Sequence, residues 1–503
     1  MIRRVLIANR GEIARRVIRT CHAMRIETVA VYSEVDHDAP HVREATSAVA
    51  IGPAAASESY LKIPALIDAV RKSGADAVHP GYGFLSENAA FAEACEAAGV
   101  IFIGPPAAVI RRMGSKTGTR ALMAAAGVPI VPGVTPAAQD DESIAAAVRE
   151  VGFPALLKAA GGGGGKGMRV VRAESEIADA IGAARRESER AFGNPTLYVE
   201  RLVERPRHIE IQIFADTYGN TVHVLERECS LQRRHQKVIE EAPAPRLAPR
   251  VRAQIRTAAI AAARAVEYVN AGTCEFLLEG EGDQARFYFL EMNTRLQVEH
   301  PVTEAVTGLD LVRAQIVVAN DQPLPFTQQD VVARGHAIEC RIYAEDPRTL
   351  LPQSGRLLRY VEPEGAGIRI DGGVREGQTI TVHYDPLIAK AIAHGDTREI
   401  ARERLIGALH GFLILGLHHN VALLSALLAL PEFVASTAYT TLMEERGAAL
   451  LPPASSETLD AAAALAAFVS PPPPAAAPPP AEAGGEAAPV GVDPWDALGP
   501  VVW

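Results

Sequence analysis

Two strand-like runs, each with a carboxylate at a matching distance from a turn, constrain this chain more than any other feature. Residues 273–278 (TCEFLL) and 287–293 (FYFLEMN) flank a glycine-containing turn, and this pattern predicts a β-hairpin. A hairpin centred near Asp283 places Glu275 opposite Glu291. Because like charges that face each other across strands destabilise a sheet, the pairing predicts a cation bound between them.

The cation predicted at this hairpin is Mg²⁺, with Mn²⁺ as a possible substitute. Glu291 and Asn293 lie two residues apart on one strand and therefore share a face. A small set of oxygen ligands without His or Cys favours Mg²⁺ held jointly with nucleotide phosphates. We therefore predict Glu275, Glu291 and Asn293 as metal ligands. The alternative is a strand edge whose acids simply face water.

Composition narrows the class of protein. A chain of 503 residues is too long for one core and predicts three or four domains. The net charge of −10 argues against a nucleic-acid partner, and no apolar run reaches membrane-spanning length. Five scattered cysteines without a C-x-x-C pair favour a reducing compartment. With no secretory signal at the start, we expect a cytoplasmic protein.

The chain divides into regions of different character. Residues 1–114 alternate short strands with helical stretches, which predicts a parallel sheet covered by helices. Only one glycine follows the first strand, where a dinucleotide site needs three, so this scaffold is Rossmann-like without that site. Residues 115–330 form a second α/β region, and residues 335–447 run from strands to helices. Residues 448–503 are rich in Pro and Ala and predict a disordered linker and tail.

A run of five glycines followed by Lys166 marks a second candidate site. It departs from a Walker A loop because Gly167, rather than Ser or Thr, follows the lysine, and strand-like runs flank it on both sides. Glycines at a hairpin tip let backbone N–H groups approach phosphates, and Lys158 supplies charge at its base. The alternative is a plain flexible loop. The phosphate contacts are predicted at Gly163, Gly164 and Gly165.

Lysine is scarce in this chain, with seven Lys against 43 Arg. In such a chain, a retained lysine indicates that a compact charge is needed. Four of the seven lie within apparent motifs, namely Lys116, Lys158, Lys166 and Lys237.

These motifs together resemble those of the ATP-grasp enzymes and, within them, of biotin carboxylase. The resemblance extends from about Arg3 to Glu445. It implies an α/β and α+β protein with a Rossmann-like N-terminal domain (1–114), an ATP-grasp domain (115–330) whose mobile lid covers about 131–203, and a mixed C-terminal domain (335–447). The implied reaction is the carboxylation of biotin at N1′ by ATP and bicarbonate through carboxyphosphate.

The resemblance also implies roles for individual residues. Nucleotide binding falls to Lys116, Lys158, Gly163, Gly164, Gly165, Glu200, Arg201, Val203, His208, Gln232, His235, Glu275 and Glu291. Bicarbonate and biotin binding fall to Tyr82, Gly83, Lys237, Arg295, Gln297, Val298 and Arg341. Catalysis falls to Glu299 as the base for bicarbonate, with Arg295, Lys237 and Arg341. Burial would raise the pKa of Glu299 and Arg295 would lower it, and the sequence leaves that balance open.

Partners follow from the same resemblance. Tyr343, residues 351–356 and the tail resemble the α subunit of an acyl-CoA carboxylase of the acetyl-, propionyl- or methylcrotonyl-CoA type. This implies a biotin carboxyl carrier domain or protein, a carboxyltransferase subunit, and a homodimer or larger assembly. The last lysine is Lys390 and none lies between methionines, so we expect biotin as a substrate on a separate carrier.

Two alternatives to this interpretation stay open. One is another ATP-grasp ligase, such as half of a carbamoyl-phosphate synthetase or a purine-pathway carboxylase. The other is a non-catalytic assembly subunit. The second predicts damage among the catalytic residues, and all of them are present.

Overall fold

A parallel sheet begins the chain in the computed structural model, which describes residues 1–161 and 167–451. The strand order is β3-β2-β1-β4-β5. The strands are β1 (Arg4–Ile7), β2 (Glu27–Ser33), β3 (Ser47–Gly52), β4 (Ala77–His79) and β5 (Ile101–Phe102). The helices are α1 (Gly11–Ala23), α2 (Pro40–Glu44), α3 (Ile63–Ser73), α4 (Ala89–Ala97) and α5 (Ala107–Met113). The predicted alternation of strands and helices is confirmed.

The packing of α1 illustrates how this layer forms. Ile13, Val17 and Cys21 recur at four-residue spacing and are buried against the sheet, as expected for an amphipathic helix. Glu12 and Arg16 are also buried on α1, which places two charged side chains inside the molecule. Glu12 forms an ion pair with Lys390, and Arg16 forms ion pairs with Glu304 and Asp310.

A smaller antiparallel sheet follows helix α6 (Lys116–Ala125), which begins where the Ser115 side chain accepts a hydrogen bond from the Gly118 N–H. Its described strands have the order β6-β9-β7-β8. The elements are β6 (Gly133–Val134), α7 (Asp141–Val151), β7 (Ala155–Ala159), β8 (Arg169–Val171), α8 (Ile177–Phe192) and β9 (Leu197–Arg201). The predictions for Gly163, Gly164, Gly165 and Lys166, and for residues 452–503, lie outside the described residues.

Two residues predicted for nucleotide binding, Glu200 and Arg201, form the end of β9. The strand extends this far because both residues pair with β7, Glu200 opposite Leu156 and Arg201 opposite Ala155.

A large antiparallel sheet forms the centre, with the order β14-β13-β10-β11-β12-β15-β20-β18. Its first elements are β10 (Arg207–Ala215), β11 (Thr221–Arg233), β12 (Gln236–Ala242), α9 (Pro249–Ala265), β13 (Asn270–Glu279), β14 (Arg286–Asn293), α10 (His300–Thr307) and α11 (Leu311–Ala319). The rest of the described chain adds β15 (His336–Tyr343), β16 (Gly355–Arg356), β17 (Arg359–Val361), β18 (Ile368–Gly372), β19 (Thr379–Ile380), β20 (Leu387–Gly395), α12 (Arg398–Gly411), β21 (Leu413–Leu415), α13 (Val421–Leu428), α14 (Pro431–Val434) and α15 (Leu442–Arg446). Because β12 pairs with β15, the sheet continues across residues 330–335, where the sequence predicts a domain boundary.

The hairpin of β13 and β14 confirms the predicted register, with Glu275 directly opposite Glu291. Near the turn the register differs by one residue, since Phe276 pairs with Phe289. A β-bulge between these two pairs restores the predicted alignment. At this point the Phe289 N–H donates to the Pro129 carbonyl at 2.7 Å. The segment that follows α6 is therefore hydrogen-bonded to β14 beside the bulge.

Within the described residues, none of the helices combines the length and apolar character needed to cross a membrane. All five cysteines are buried and unpaired.

Candidate active site

Lys237 on β12 lies at the centre of a buried cluster of carboxylates. Its Nζ is 2.8 Å from Glu275 Oε1 and 2.7 Å from Glu299 Oε1, and it also donates to Glu210. Burial by itself lowers the pKa of Lys237, but the three carboxylates raise it well above its usual value. The lysine therefore stays charged and draws together β10, β12, β13 and the turn after β14.

Glu275 accepts hydrogen bonds from several donors around this lysine. Its Oε1 accepts from Asn293 Nδ2 at 2.7 Å and from Gln297 Nε2 at 3.1 Å, while Oε2 lies 3.1 Å from His208 Nε2. Burial acts to raise the pKa of Glu275, but Lys237 and His208 hold it far below its usual range. Glu275 is therefore a stable anion.

Glu291, directly across the hairpin, has a contrasting environment. It is half-buried, and its side chain makes no hydrogen bond or ion pair with the described part of the chain, although its backbone lies in the β13–β14 ladder. Burial and then the charge of Glu275 raise its pKa, and Lys116 opposes that rise. A half-buried carboxylate beside a second one and the Asn293 amide is a donor set that suits a hard divalent cation. The residues present therefore fit the predicted Mg²⁺ site.

Glu299, the predicted base, is fully buried in the turn after β14. Its Oε2 accepts from Arg341 Nη2 at 2.9 Å, and Arg341 Nε donates to Glu240 Oε1 at 2.5 Å. Burial acts to raise the pKa of Glu299, but Lys237 and Arg341 hold it well below its usual range. Nearby positive charge therefore outweighs burial in setting this pKa, and Lys237 and Arg341 contribute more to it than the expected Arg295, which also interacts with Glu299 electrostatically.

Arg295 is held instead by neutral and acidic acceptors. Its Nε donates to Glu87 Oε2 at 2.8 Å and its Nη1 to Gln297 Oε1 at 2.9 Å. Asn293 Oδ1 lies 3.3 Å from Nη2, and Glu87 also accepts from the Thr294 N–H at 2.9 Å. Glu87, on the loop after β4, thereby connects the N-terminal sheet to the hairpin.

A cavity of about 300 Å³ opens beside these groups. The residues predicted for bicarbonate and biotin that line it are Tyr82, Gly83, Arg295, Val298 and Arg341. Gly83 has φ of +67°, in the left-handed region that favours glycine. The Tyr82 hydroxyl donates to Glu12, which also lines the cavity.

The predicted phosphate lysines lie apart from that cavity. Lys116 is half-buried at the start of α6, and its burial lowers its pKa. Lys158 is buried on β7 and forms an ion pair with Glu200. Arg120 on α6 contacts the same carboxylate and donates to the Val131 carbonyl at 2.9 Å.

Arg201 and Val203, also predicted for nucleotide binding, lie at the end of β9 and just after it. Both guanidinium Nη atoms of Arg201 bind the Glu279 carboxylate, at 2.8 and 2.9 Å. Val203 is buried against Val131 and Tyr288. The predicted adenine-side residues thus lie where the β6–β9 sheet joins the central sheet.

The histidines predicted for the nucleotide pocket separate into two positions. His208 is buried on β10, and its Nδ1 lies 2.9 Å from Gln232 Nε2. His235 is exposed at the turn between β11 and β12, with φ of +64°. Among the described residues, the structure therefore joins His208 with Gln232 but not with His235.

Sequence reasoning missed three residues that belong to the cluster. Glu210 accepts from Arg227 Nη2 at 2.8 Å as well as from Lys237, and its two-residue spacing from His208 on one strand was an available signal. Glu87 lies four residues after Gly83, which the sequence assigns to biotin binding. For Lys390, the only available signal in the sequence was the scarcity of lysine.

Comparison with known proteins agrees with this geometry. Residues 1–110 match the family model "Biotin carboxylase, N-terminal domain". Residues 115–327 match "Carbamoyl-phosphate synthase L chain, ATP binding domain", and residues 339–445 match "Biotin carboxylase C-terminal domain".

Two curated relatives are similar over most of the chain. The mitochondrial methylcrotonoyl-CoA carboxylase subunit alpha of Mus musculus is 48% identical over 446 residues, which cover 88% of this chain and 62% of the relative. The biotin carboxylase of Halalkalibacterium halodurans is 49% identical over 443 residues, which cover 88% of this chain and 97% of the relative. The chain therefore spans about three fifths of the first relative and nearly all of the second.

A solved structure has the same fold. It is the biotin carboxylase domain dimer of the 2-oxoglutarate carboxylase of Hydrogenobacter thermophilus, in complex with ADP, its magnesium salt and bicarbonate. The TM-score is 0.85 at 42% identity, covering 90% of this chain and all of that one. The flanking domain models and the full-length match to a biotin carboxylase set aside the carbamoyl-phosphate synthetase alternative, and the chain belongs to the biotin carboxylase family.

Proposed function

We propose that this protein uses ATP and bicarbonate to carboxylate biotin at N1′, the first half-reaction of an acyl-CoA carboxylase. The observation that supports this most strongly is the position of Glu299. It is a buried carboxylate held between Lys237 and Arg341, and Arg341 and the neighbouring Val298 line the cavity.

ATP would lie between α6 and the β7–β9 edge. Lys116 and Lys158 would bind its phosphates, since both are cations near carboxylates rather than in bulk solvent. Glu275, Glu291 and Asn293 would hold Mg²⁺, which supplies positive charge at the ATP phosphates when bound. The solved relative with bound MgADP and bicarbonate supports this choice of ligands.

The first step is the activation of bicarbonate. Glu299 accepts the bicarbonate proton, a bicarbonate oxygen attacks the γ-phosphorus, and ADP leaves to give carboxyphosphate. Arg295 and Gln297, already hydrogen-bonded to each other at 2.9 Å, would orient the bicarbonate anion. Lys237 would neutralise charge that develops on the transferred phosphoryl group.

A base needs a pKa closer to the working pH than Glu299 has in this arrangement. The two cations that lower its pKa most are assigned to substrates, Lys237 to phosphate and Arg341 to biotin. When substrates draw these cations away, the buried carboxylate loses its stabilising charges and becomes more basic. Substrate binding would thereby activate the base.

The second step transfers the carboxyl group. Carboxyphosphate breaks into CO₂ and phosphate, the phosphate takes the N1′ proton of biotin, and N1′ attacks CO₂. Arg341 would stabilise the negative ureido oxygen, as a fixed donor aimed at developing charge. Tyr82 and Gly83, which also line the cavity, would contact the biotin ring system.

The whole assembly is part of the proposal. The similarity to methylcrotonoyl-CoA carboxylase alpha subunits and to biotin carboxylases supports a partner that carries biotin and a carboxyltransferase that selects the acyl-CoA. The dimeric biotin carboxylase domain of the structural relative supports a homodimer or larger assembly.

The test is ATP turnover with bicarbonate, measured with and without free biotin, together with carboxybiotin formation. We expect biotin to accelerate turnover and Glu299→Gln to abolish carboxybiotin formation. Glu281→Gln, an exposed residue at the hairpin turn, is the matched control. Biotin-independent turnover without carboxybiotin would contradict the proposal.

A further inference from the structure

We propose that Lys390 is a positioning residue that holds the turn bearing Glu299, an inference that rests on the proposed function. Lys390 lies on β20 and is fully buried. Its Nζ donates a hydrogen bond of 2.7 Å to the Val298 carbonyl oxygen. That carbonyl belongs to the peptide group that joins Val298 to Glu299. The lysine therefore fixes the peptide plane from which the base projects.

Lys390 and Arg341 reach this turn side by side. They are directly paired in the β15–β20 register, so their side chains leave the same face of the sheet. Arg341 Nη2 donates to the Glu299 side chain at 2.9 Å, and Lys390 donates to the preceding carbonyl. Because adjacent cations repel each other, acceptors on the turn are needed to hold both in place. The pair thus fixes the side chain and the backbone of the base together.

The carboxyl groups that face Lys390 come from α1, β18 and β15, and the one on β15 is Glu339, which interacts with Lys390 electrostatically. Glu12 Oε1 on α1 lies 3.3 Å from Nζ, and Asp371 Oδ2 on β18 lies at 4.0 Å. The Tyr82 ring centre is 5.9 Å away, and its hydroxyl donates to Glu12. Lys390 therefore connects the catalytic turn to the Tyr82 wall of the cavity through Glu12.

A lysine suits this position better than an arginine. Three oxygens, from Val298, Glu12 and Asp371, surround one nitrogen within 4.0 Å. An ammonium group offers three donors from a single compact centre, whereas a guanidinium is a planar fork. In a chain with 43 Arg and seven Lys, this geometry accounts for the type of cation found here.

The test replaces Lys390 by methionine, which has a similar length and no donor. Lys390→Met leaves the Glu12 carboxylate without its cation, and an unpaired buried charge destabilises a fold. The double variant Glu12→Gln/Lys390→Met removes that charge, while the glutamine oxygen can still accept from Tyr82. Lys72→Met, on an exposed part of α3, is the control for loss of a lysine.

Both Lys390→Met proteins are expected to carboxylate free biotin about 10- to 100-fold more slowly, the scale of a displaced catalytic group. The KM for bicarbonate should rise, while the KM for ATP should stay within twofold of wild type. The double variant should regain melting temperature without regaining turnover.

Two results would overturn the inference. One is turnover of Lys390→Met within twofold of wild type. The other is recovery of turnover together with stability in the double variant, which would reduce Lys390 to balancing the charge of Glu12. An inactive wild-type protein would instead refute the proposed function, and the inference with it.

Discussion

The two sides of the candidate site hold their charges differently. On the carboxylation side, buried charged groups on three strands and a turn are joined by hydrogen bonds of 2.7–2.9 Å, as seen for Lys237, Glu299, Arg341 and Lys390. On the nucleotide side, Lys158 and Arg120 share the Glu200 carboxylate, and the Glu291 side chain has no hydrogen bond or ion pair among the described residues. A saturated network is preorganised for chemistry, whereas a lone carboxylate and a lysine that shares its partner can be redirected to a ligand.

The largest effect is expected from a substitution that disrupts only the carboxylation side. Arg341→Ser should lower biotin carboxylation by about 10²- to 10³-fold, the scale for losing a donor aimed at developing charge. Bicarbonate-dependent ATP hydrolysis should persist in part, because the nucleotide side is untouched. The measurement compares both rates in one preparation, with exposed Arg359→Ser as the control. Equal loss of the two activities would show that Arg341 serves both sides.

Glu291 offers the next largest effect, on the nucleotide side. Glu291→Gln should reduce turnover roughly 10²-fold, because it removes a charge from the predicted metal site. Raising the Mg²⁺ concentration should recover part of the loss, while exposed Glu281→Gln should behave as wild type. Near-normal activity of Glu291→Gln at modest Mg²⁺ would refute the metal assignment.

The hairpin that bears Glu291 shows how much of the structure could be predicted from the sequence. The pairing of Glu275 with Glu291 was predictable, because a turn and two periodic strands specify it locally. The bulge beside it was not, since it depends on contact with Pro129 from another segment. In the same way, Lys390 and Val298 are 92 residues apart, and only the sheet order brings them together.

The cations around Glu299 give the same lesson in energetic terms. Burial and nearby charge act on its pKa in opposite directions, so composition alone cannot give the sign. The sequence neighbour Arg295 turns toward Glu87, and the cations that do reach Glu299 come from other strands. Predicting residue types was possible, whereas predicting their partners required the fold.

The mobility of the predicted lid offers a further comparison between the nucleotide side and the carboxylation side. Residues 131–203 should exchange amide hydrogens at least about tenfold faster without MgATP than with it, if the nucleotide side rearranges to bind. Residues 336–343 of β15, in the saturated network, should exchange equally slowly in both states. Hydrogen exchange with mass spectrometry measures both segments together. Equal protection of 131–203 in the two states would indicate a rigid nucleotide side.

A smaller effect is expected at Lys116. Lys116→Gln should raise the KM for ATP about tenfold with little change in kcat, since a phosphate contact made equally in the ground and transition states contributes to binding. Steady-state kinetics at saturating bicarbonate give both constants, and exposed Lys72→Gln is the control. A fall in kcat at unchanged KM would move Lys116 into the chemical step.

The smallest effect concerns the loop that connects the carboxylation side to the N-terminal sheet. His79 is fully buried at the end of β4, its Nδ1 accepts from the Gly81 N–H at 3.0 Å, and its Nε2 lies 3.2 Å from Gln315 Oε1. Burial lowers its pKa to about 4, although Gln315 opposes this.

An unfolded histidine binds its proton near pH 6.5, so the folded state binds fewer protons between pH 6.5 and 4. The free energy of unfolding should therefore fall as pH drops through this window, with on the order of 3 kcal/mol from His79. Urea unfolding should show a shallower decline for His79→Asn and an unchanged one for exposed His383→Asn. If the unfolding free energies of wild type and His79→Asn declined equally with falling pH, His79 would bind its proton equally well in the folded and unfolded states. The loop after β4 would then be less rigid than the ion-pair network around Glu299.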